Sequence, residues 1–246
     1  MGIVFSLLAF ERVLSLQDES TAWGDAAEKI DRQAPANAVG RWRPFLNLGA
    51  QHLDKGLLQE AQTDLATAEA LGALQGSARF NMGVALQQQQ KHTEALAAFA
   101  EAEKRGFNDL QLYYQRGESQ YALGQFDQAY ASFTQGLDRP VSGISGQDLE
   151  RVLQAMRLRR AEAAIGARQY GAAVEAFGAL LQDQPQSGRL RIGLGMALIG
   201  KGDNREALAL FDTLLAQQPS GPAYYGRAMA YYTAGQHAAS LKDLDQ

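Results

Sequence analysis

Residues 194–219 read LGMALIGKGDNREALALFDTLLAQQP, and this stretch decides the fold. Apolar residues recur every three or four positions on both sides of the central GKGD, which is the periodicity of two amphipathic helices joined by a turn. The first run contains a small residue, Gly195, and the second contains Ala207 followed four residues later by Phe211. Pro219 predicts the end of the second helix, because proline cannot continue one. The stretch therefore predicts a helical hairpin.

The same pattern recurs along most of the chain. A small residue followed four positions later by a large apolar one occurs at Ala61/Leu65, Ala95/Phe99, Ala129/Phe133, Ala173/Phe177, Ala207/Phe211 and, less clearly, Ser240/Leu244. The first members are separated by 34, 34, 44, 34 and 33 residues. Another small residue lies twelve positions before each of them, at Gly49, Gly83, Gly117, Ala161, Gly195 and Ala228. Because a single hairpin cannot bury its apolar side, this period predicts stacked hairpins.

These residues resemble the tetratricopeptide repeat family, whose pattern combines a large residue, Leu–Gly, a later Ala and Phe, and a final Pro. The fifth unit matches it at Leu194, Gly195, Leu198, Gly202, Ala207, Phe211, Leu214 and Pro219. The first unit matches it at Phe45, Leu48, Gly49, Ala61, Leu65 and Ala68. The resemblance implies an all-α, right-handed superhelical solenoid of about six helix–turn–helix units, preceded by an N-terminal helical segment.

The resemblance also predicts boundaries and two irregularities. We expect an N-terminal helical segment over 1–41 and repeats over 42–246, with units at 42–75, 76–109, 110–143, 154–187, 188–220 and 221–246. An insertion at 139–152, rich in Gly and Ser, is expected to form a longer turn, with Gln147 or Asp148 near the start of the next helix. The last unit is truncated in its second helix. We expect either a longer parent protein or self-association at this apolar end.

Composition narrows the class of protein. Hydrophobic residues make up 46% of the 246 residues and charged residues 20%, so the chain can bury a core. The net charge of −4 disfavours nucleic acid as the main partner. The absence of cysteine excludes disulfides and thiolate metal sites, and the three histidines are too scattered to predict a metal cluster. We therefore expect no cofactor and no metal.

The repeat pattern also accounts for an apparent nucleotide-binding motif. Residues 195–202, GMALIGKG, satisfy the G-x-x-x-x-G-K of a phosphate-binding loop, but Gly202 stands where Ser or Thr would bind Mg²⁺. Gly195 occupies the small position of a first helix, and Gly202 occupies a turn position that glycine also fills in three other units. The chain lacks H-E-x-x-H, G-x-S-x-G and a nucleophilic cysteine. We predict that it is not an enzyme.

The family resemblance implies a binding surface on the concave face, which the first helix of each unit lines. Positions two, five, six, nine, twelve and thirteen of that helix face inward in the family, with the small residue as position eight. The candidate peptide-binding residues in this set are Asn47, Phe80, Asn81, Gln87, Tyr114, Gln115, Glu118, Tyr121, Arg159 and Tyr225. Asn and Gln can hydrogen-bond an extended peptide, and Tyr offers rigid contact area. Alternatively, the tyrosines belong to the core between repeats.

One subgroup of the family binds chaperone C-termini with inward Lys, Asn and Arg side chains, the carboxylate clamp. Asn47, Asn81 and Arg159 match that set in part, but Phe80 and Tyr114 stand where lysine is required. The resemblance therefore does not predict binding of a chaperone tail.

The N-terminus has two interpretations. Residues 3–10, IVFSLLAF, are too few to cross a membrane and lack the flanks of a signal peptide. They form either an amphipathic capping helix, since Ile3, Leu7, Phe10 and Leu14 recur at helical spacing, or the end of a membrane helix that begins before this chain.

The segment that follows resembles the junction between the last membrane helix and the repeats of bacterial and TMTC-like membrane glycosyltransferases. Arg12, Trp23, Asp25, Ala26 and Ala27 carry this resemblance. It implies a repeat domain outside the cytoplasm that presents polypeptide acceptors or assembles the complex.

The sequence thus predicts a scaffold that binds a protein or peptide partner in its concave groove. The alternative is an extracytoplasmic accessory domain of a polytopic membrane glycosyltransferase. The expected location is membrane-associated or periplasmic in the second case and cytoplasmic in the first. Membrane association through the N-terminus and self-association through the C-terminal end are further expectations, and nucleic acid binding is not expected.

Overall fold

The computed structural model describes residues 19–31, 40–73, 76–141 and 146–246, and these residues form thirteen α-helices and no β-strand. The helices are α1 (Glu19–Glu28), α2 (Arg43–Asp54), α3 (Leu58–Ala70), α4 (Gly76–Gln88), α5 (His92–Lys104), α6 (Leu110–Ala122), α7 (Phe126–Leu137), α8 (Gly146–Gly166), α9 (Tyr170–Asp183), α10 (Gly188–Lys201), α11 (Asn204–Gln217), α12 (Gly221–Thr233) and α13 (His237–Leu244).

The chain divides into two compact units, Met1–Asn108 (unit 1) and Asp109–Gln246 (unit 2). Six hairpins, which we number repeats 1 to 6, are formed by α2–α3 and α4–α5 in unit 1, and by α6–α7, α8–α9, α10–α11 and α12–α13 in unit 2. The prediction of an all-α fold built from about six helical hairpins is confirmed.

Every hairpin reverses direction at one residue with a left-handed backbone. Glycine occupies this position in repeats 1, 3, 5 and 6, and Gly202 has a φ of 95°. Gln90 and Arg168 take the same conformation in repeats 2 and 4, with φ of 61° and 58°. Because only glycine adopts this conformation without a steric cost, the turn glycines of the sequence pattern have a direct structural reason.

The apparent phosphate-binding motif is one of these turns. Lys201 is the last residue of α10, Gly202 caps the helix, and α11 begins at Asn204. The Lys201 ammonium donates a hydrogen bond to Asp203 at 2.7 Å. A phosphate loop instead requires a strand before the loop and a helix that opens at the lysine. The residues therefore form a helix end and a turn, as the repeat pattern predicts.

The core of each unit is built from the paired small and large residues of the repeat. Leu65, Phe99, Phe133, Phe177 and Phe211 are all fully buried. A Cβ atom on Gly195 would overlap the ring of Phe211, so glycine is what lets α10 and α11 approach so closely. Burying each of these large side chains stabilises the fold by roughly 1.5–3 kcal/mol.

The insertion at 139–152 contains the connection after α7 and the first residues of α8. Helix α8 begins at Gly146, so Gln147 and Asp148 lie in its first turn as predicted. Helix α8 is 21 residues long, because the second half of the insertion extends it eight residues ahead of the expected unit boundary at 154. Residues 142–145 lie outside the described residues.

The N-terminal segment contributes a helix to unit 1. Helix α1 packs on α2, and Ala27 of α1 joins a buried cluster with Phe45 and Ala68. The apolar stretch 3–10 and Arg12 lie outside the described residues. Within the described ranges, no helix combines the length and apolarity needed to cross a bilayer.

Candidate functional site

The first helices of the repeats form a shared surface within each unit. In unit 2, α6 packs beside α8, α8 beside α10, and α10 beside α12. In unit 1, α2 and α4 pack in the same way. Side chains at the inward positions of these helices therefore lie next to one another. We call the surface that they form the inner face of each unit.

Arg159 organises the polar part of the inner face of unit 2. Its guanidinium donates to Glu118 on α6 at 2.8 Å and to Glu162 on its own helix, α8, at 3.0 Å. Arg189 on α10 donates to the other oxygen of Glu162 at 2.6 Å. These ion pairs connect the first helices of three successive repeats and fix the positions of two arginines and two glutamates.

This arrangement changes the pKa of Arg159. Burial lowers the pKa of its guanidinium, but the charges of Glu118 and Glu162 and the hydrogen bonds to them outweigh that effect. The net pKa is raised above its usual value, so Arg159 remains a fixed cation at the centre of the inner face.

Tyr114 and Tyr121 lie against this charged network. The guanidinium carbon of Arg159 is 5.3 Å from the centre of the Tyr121 ring, which is cation–π distance. Tyr114 packs on the core ring of Phe133 with a centroid separation of 6.0 Å. Both tyrosines are half-buried, so each shares its surface between the core and the inner face. Burial raises the pKa of both phenols, as do the nearby carboxylates.

A recess lies beside Tyr114. It has a volume of about 440 Å³ and is lined by Gln111, Tyr114 and Gln115 of α6 and by Arg151, Val152 and Ala155 of α8. Its walls combine an aromatic ring, two amides and an arginine, which are groups that recognise peptide backbone and side chains. The recess is large enough for one or two side chains of a partner.

Three of the predicted residues in unit 1 share its inner face. Asn47 lies on α2, and Asn81 and Gln87 lie on α4, all with half-buried side chains. Phe80 differs from them, because its ring is buried and stacks on Phe107 at 4.6 Å. Phe80 therefore packs in the core of unit 1 and presents little surface for a partner.

The structure brings Tyr114, Glu118, Tyr121 and Arg159 together in one network, and Gln115 lies beside them in the recess. Tyr225 lies on α12, and 53% of its surface is exposed. The sequence-based list omitted Glu162 and Arg189, which complete the charged network. The signal was present for both, because Glu162 occupies position nine and Arg189 position two of their first helices, and both positions are inward.

Stacked hairpins that present their first helices on one face define the class of helical-repeat proteins. Three family models, each described as tetratricopeptide repeat, match residues 46–109, 110–139 and 164–242. The chain belongs to the tetratricopeptide repeat family, and the resemblance found in the sequence is confirmed on this point. No match supports the resemblance to membrane glycosyltransferases.

Solved structures give the same fold. A tetratricopeptide repeat protein from Parabacteroides merdae is similar over 83% of this chain and 77% of its own, with 22% identity and a TM-score of 0.64. YrrB, described as a TPR protein with an unusual peptide-binding site, is similar over 88% of this chain and 99% of its own, with 17% identity and a TM-score of 0.68. MamA from Desulfovibrio magneticus RS-1, residues 41 to the end, is similar over 71% and 93%, with 17% identity and a TM-score of 0.56. No curated protein matches the sequence.

Proposed function

We propose that this protein is a scaffold that binds a segment of a partner polypeptide on the inner face of unit 2. The observation that carries the proposal is the network of Glu118 and Arg159 with Tyr114 and Tyr121, next to the recess of about 440 Å³. Interfaces are enriched in tyrosine and arginine, and rigid side chains lose little entropy on binding. The ion pairs hold these side chains in place before a partner arrives.

The family supports the general part of this proposal, since tetratricopeptide repeats are interaction scaffolds. YrrB, which shares the fold, is described as having a peptide-binding site. We predict that this chain has no enzymatic activity and needs no cofactor for its role. Asn47, Asn81 and Gln87 form a second, smaller set of candidate contacts on the inner face of unit 1.

The test uses a library of random peptides of about 12 residues, long enough to cross the inner face of several helices that are about 8–10 Å apart. Peptides selected on the wild-type protein are then titrated by fluorescence anisotropy. We expect Gln111→Ala with Tyr114→Ala to weaken binding about tenfold, because both side chains line the recess.

The matched control is Gln128→Ala, which changes an exposed glutamine on the second helix α7 and should leave the affinity unchanged. Circular dichroism confirms that each variant is folded. Equal affinity of the recess variant and the wild type would refute binding at the recess, and the absence of any selected peptide would refute peptide binding on this face as a whole.

The alternative function, a repeat domain of a membrane glycosyltransferase outside the cytoplasm, stays a prediction from the residues around Trp23 and Asp25. Reading the gene upstream of Met1 tests it, because it requires membrane helices there. A stop codon just upstream would exclude it. Membrane association through residues 3–10 stays a prediction of the same kind.

A further inference from the structure

Helix α12 reverses the usual arrangement of an amphipathic helix. Its buried residues are small, namely Ala223, Gly226, Ala228 and Ala230. Two of its large residues lie outside, since Tyr225 and Tyr232 expose 53% and 60% of their surfaces, whereas Tyr224 packs against the core. Positions 225, 229 and 232 fall on one side of the helix because they are separated by four and three residues. Large apolar surface is therefore presented to solvent by a helix whose small residues fill the core.

The neighbouring first helix continues this surface. At the corresponding positions α10 carries Ile192, Met196 and Ile199, all half-buried. Since α10 and α12 pack side by side, the six residues form one strip, the apolar strip: Ile192, Met196, Ile199, Tyr225, Met229 and Tyr232. None of the six is charged, in contrast to the same positions of α6 and α8, which hold Glu118 and Glu162. The two methionines have flexible side chains that adapt to the shape of a partner.

An accessible positive charge borders the apolar strip. Arg189 lies one turn before Ile192 on α10, and its side chain is 66% exposed. Within the part of the chain that the structure describes, its guanidinium forms an ion pair with Glu162 through one nitrogen, Nη2. Arg189 and Ile192 also line a recess of about 360 Å³ together with Leu214 and Pro222. An arginine at the edge of an apolar recess is suited to a carboxylate that follows a buried apolar side chain.

We propose that the apolar strip binds a short segment of a partner polypeptide that carries large apolar side chains next to an acidic residue, with the carboxylate paired to Arg189. The inference rests on the proposed function, because it extends the same inner face, and it adds the chemistry of the partner. The apolar side chains lie over α10 and α12, and one of them enters the recess beside Arg189.

The charged side chains beside the apolar strip favour an acidic partner over a basic one. The carboxylates of Glu118 and Glu162 are at most 20% exposed and already accept hydrogen bonds from Arg159. Arg189 is the charge of this network with the larger exposure. A carboxylate therefore finds an accessible cation at the strip, whereas a lysine or arginine finds carboxylates that are mostly covered and already paired with Arg159.

The size of the apolar strip favours a short segment over a second copy of the chain. Three positions along each helix span about 10 Å, and two adjacent helices span about 20 Å. A stable dimer buries about 800 Å² on each partner, which is several times the roughly 200 Å² of this area. A peptide needs only a few anchoring side chains in such a space.

The experiment selects peptides of about 12 residues from a random library on the full chain. We expect the selected peptides to combine Leu, Ile, Met or Phe with Asp or Glu. Tyr225→Ser with Tyr232→Ser should weaken their binding about tenfold or more, because these two rings are the most exposed part of the apolar strip. Arg189→Gln should weaken the binding of the acidic peptides about threefold to tenfold. It should not change the binding of amide versions of the same peptides, in which Asp and Glu are replaced by Asn and Gln.

Leu123→Ser provides the matched control, since Leu123 is an exposed leucine of unit 2 at the turn after α6. The Leu123→Ser protein should bind the selected peptides as tightly as the wild type does. Circular dichroism checks the fold of every variant. Selection of basic or purely polar peptides would overturn the proposal, as would full binding by the Tyr225→Ser, Tyr232→Ser protein.

The outcomes also separate this inference from the proposed function. Peptides that lose affinity with Gln111→Ala and Tyr114→Ala, but not with the strip variants, would keep the proposed function and refute the apolar strip. A library that yields no binder refutes both. A dimer in light scattering that the Tyr225→Ser, Tyr232→Ser variant abolishes would show that a second copy occupies the strip and would likewise overturn the proposal.

Discussion

Arg168 shows how strictly the turn of each hairpin is determined. It has a φ of 58° at the position that Gly56, Gly124, Gly202 and Gly235 occupy in other repeats. A residue with a Cβ atom pays about 1–2 kcal/mol for the left-handed conformation. The repeat geometry thus imposes this conformation even where the sequence does not supply glycine.

We predict that Arg168→Gly stabilises unit 2 by about 1 kcal/mol, because it removes this steric cost while adding some entropy to the unfolded chain. The measurement is urea unfolding followed by circular dichroism. The matched substitution in the opposite sense, Gly124→Ala, places a Cβ atom at φ 73° and should destabilise the protein by a similar amount. A destabilised Arg168→Gly protein would show that the arginine side chain makes a contribution that outweighs its backbone strain.

The two inner-face tyrosines carry a second prediction at the residue scale. Burial raises the pKa of Tyr121, the charge of Glu162 raises it further, and Arg159 opposes both. Tyr114 shows the same pattern with Glu118. We therefore expect Tyr114 to ionise at a higher pH than a free tyrosine, and Glu118→Gln to move that pH downwards. Ultraviolet absorbance titration, compared with Tyr114→Phe to isolate one phenol, measures both.

The same pKa shifts determine how the free energy of unfolding depends on pH. A phenol whose pKa is higher in the folded state contributes stability that is present below its unfolded pKa of about 10 and is lost as the pH rises through the folded value. The free energy of unfolding should fall over this alkaline window, and less steeply in Tyr114→Phe. An unchanged slope in that variant would contradict the assignment.

At the scale of elements, one arginine forms the ion pair that links α13 to the rest of its repeat. Arg227 on α12 donates two hydrogen bonds of 2.7 Å to the carboxylate of Asp243, and another of 2.7 Å to Asp212 on α11. Asp243 is buried, and α13 has only eight residues. A helix this short has little stability of its own, so its order depends on tertiary contacts.

We predict that Asp243→Asn costs about 1.5–3 kcal/mol of local stability, because the charged acceptor of two hydrogen bonds is lost from a buried site. Hydrogen exchange should show faster exchange in α13 with little change in α8 and α9. Lys242→Gln is the matched control, since it changes a neighbouring exposed charge of the same helix. If hydrogen exchange in α13 were equally fast in the Asp243→Asn and Lys242→Gln proteins, the ion pair would not be what fixes this helix.

The elements also show what local sequence can and cannot predict. The hairpins were predictable because the small and large residues that pack together recur at fixed spacings within one unit, as Gly195 and Phe211 do. The burial of Phe80 was not predictable in this way. Its ring is covered by Phe107, which follows α5 and has no fixed place in the repeat pattern. The start of α8 inside the insertion was indicated by Gln147 and Asp148, because polar residues of this kind suit the first turn of a helix.

The candidate site was predictable only in part for a related reason. Register within a first helix identified Glu118, Tyr121 and Arg159, but it could not show which inward side chains pair across helices. Arg159 reaches Glu118, and Arg189 reaches Glu162, because α6, α8 and α10 pack side by side. The pattern of α12 likewise depends on knowing that its alanines fill the core while Tyr225 and Tyr232 stay exposed.

At the scale of the whole molecule, the last repeat presents an uncovered apolar surface. Leu244 corresponds to Leu65, Phe99, Phe133, Phe177 and Phe211, which are all fully buried, yet 54% of its own surface is exposed. The difference lies in packing, because Phe211 is enclosed by Gly195 of its own repeat and Gly226 of the next. Leu241, on the same short helix, is 65% exposed. Large exposed apolar side chains such as these two leucines favour association with another apolar surface.

We predict that the chain self-associates through α13 and that the association is reversible and depends on concentration. Light scattering over a wide range of protein concentration should show an increasing mean mass for the wild type. Leu241→Glu with Leu244→Lys should keep the protein monomeric, because burying these charges without partners is costly. Leu57→Glu with Leu123→Lys, which changes two other exposed leucines, should associate like the wild type. A wild type that is monomeric throughout would mean that the exposed leucines do not mediate self-association.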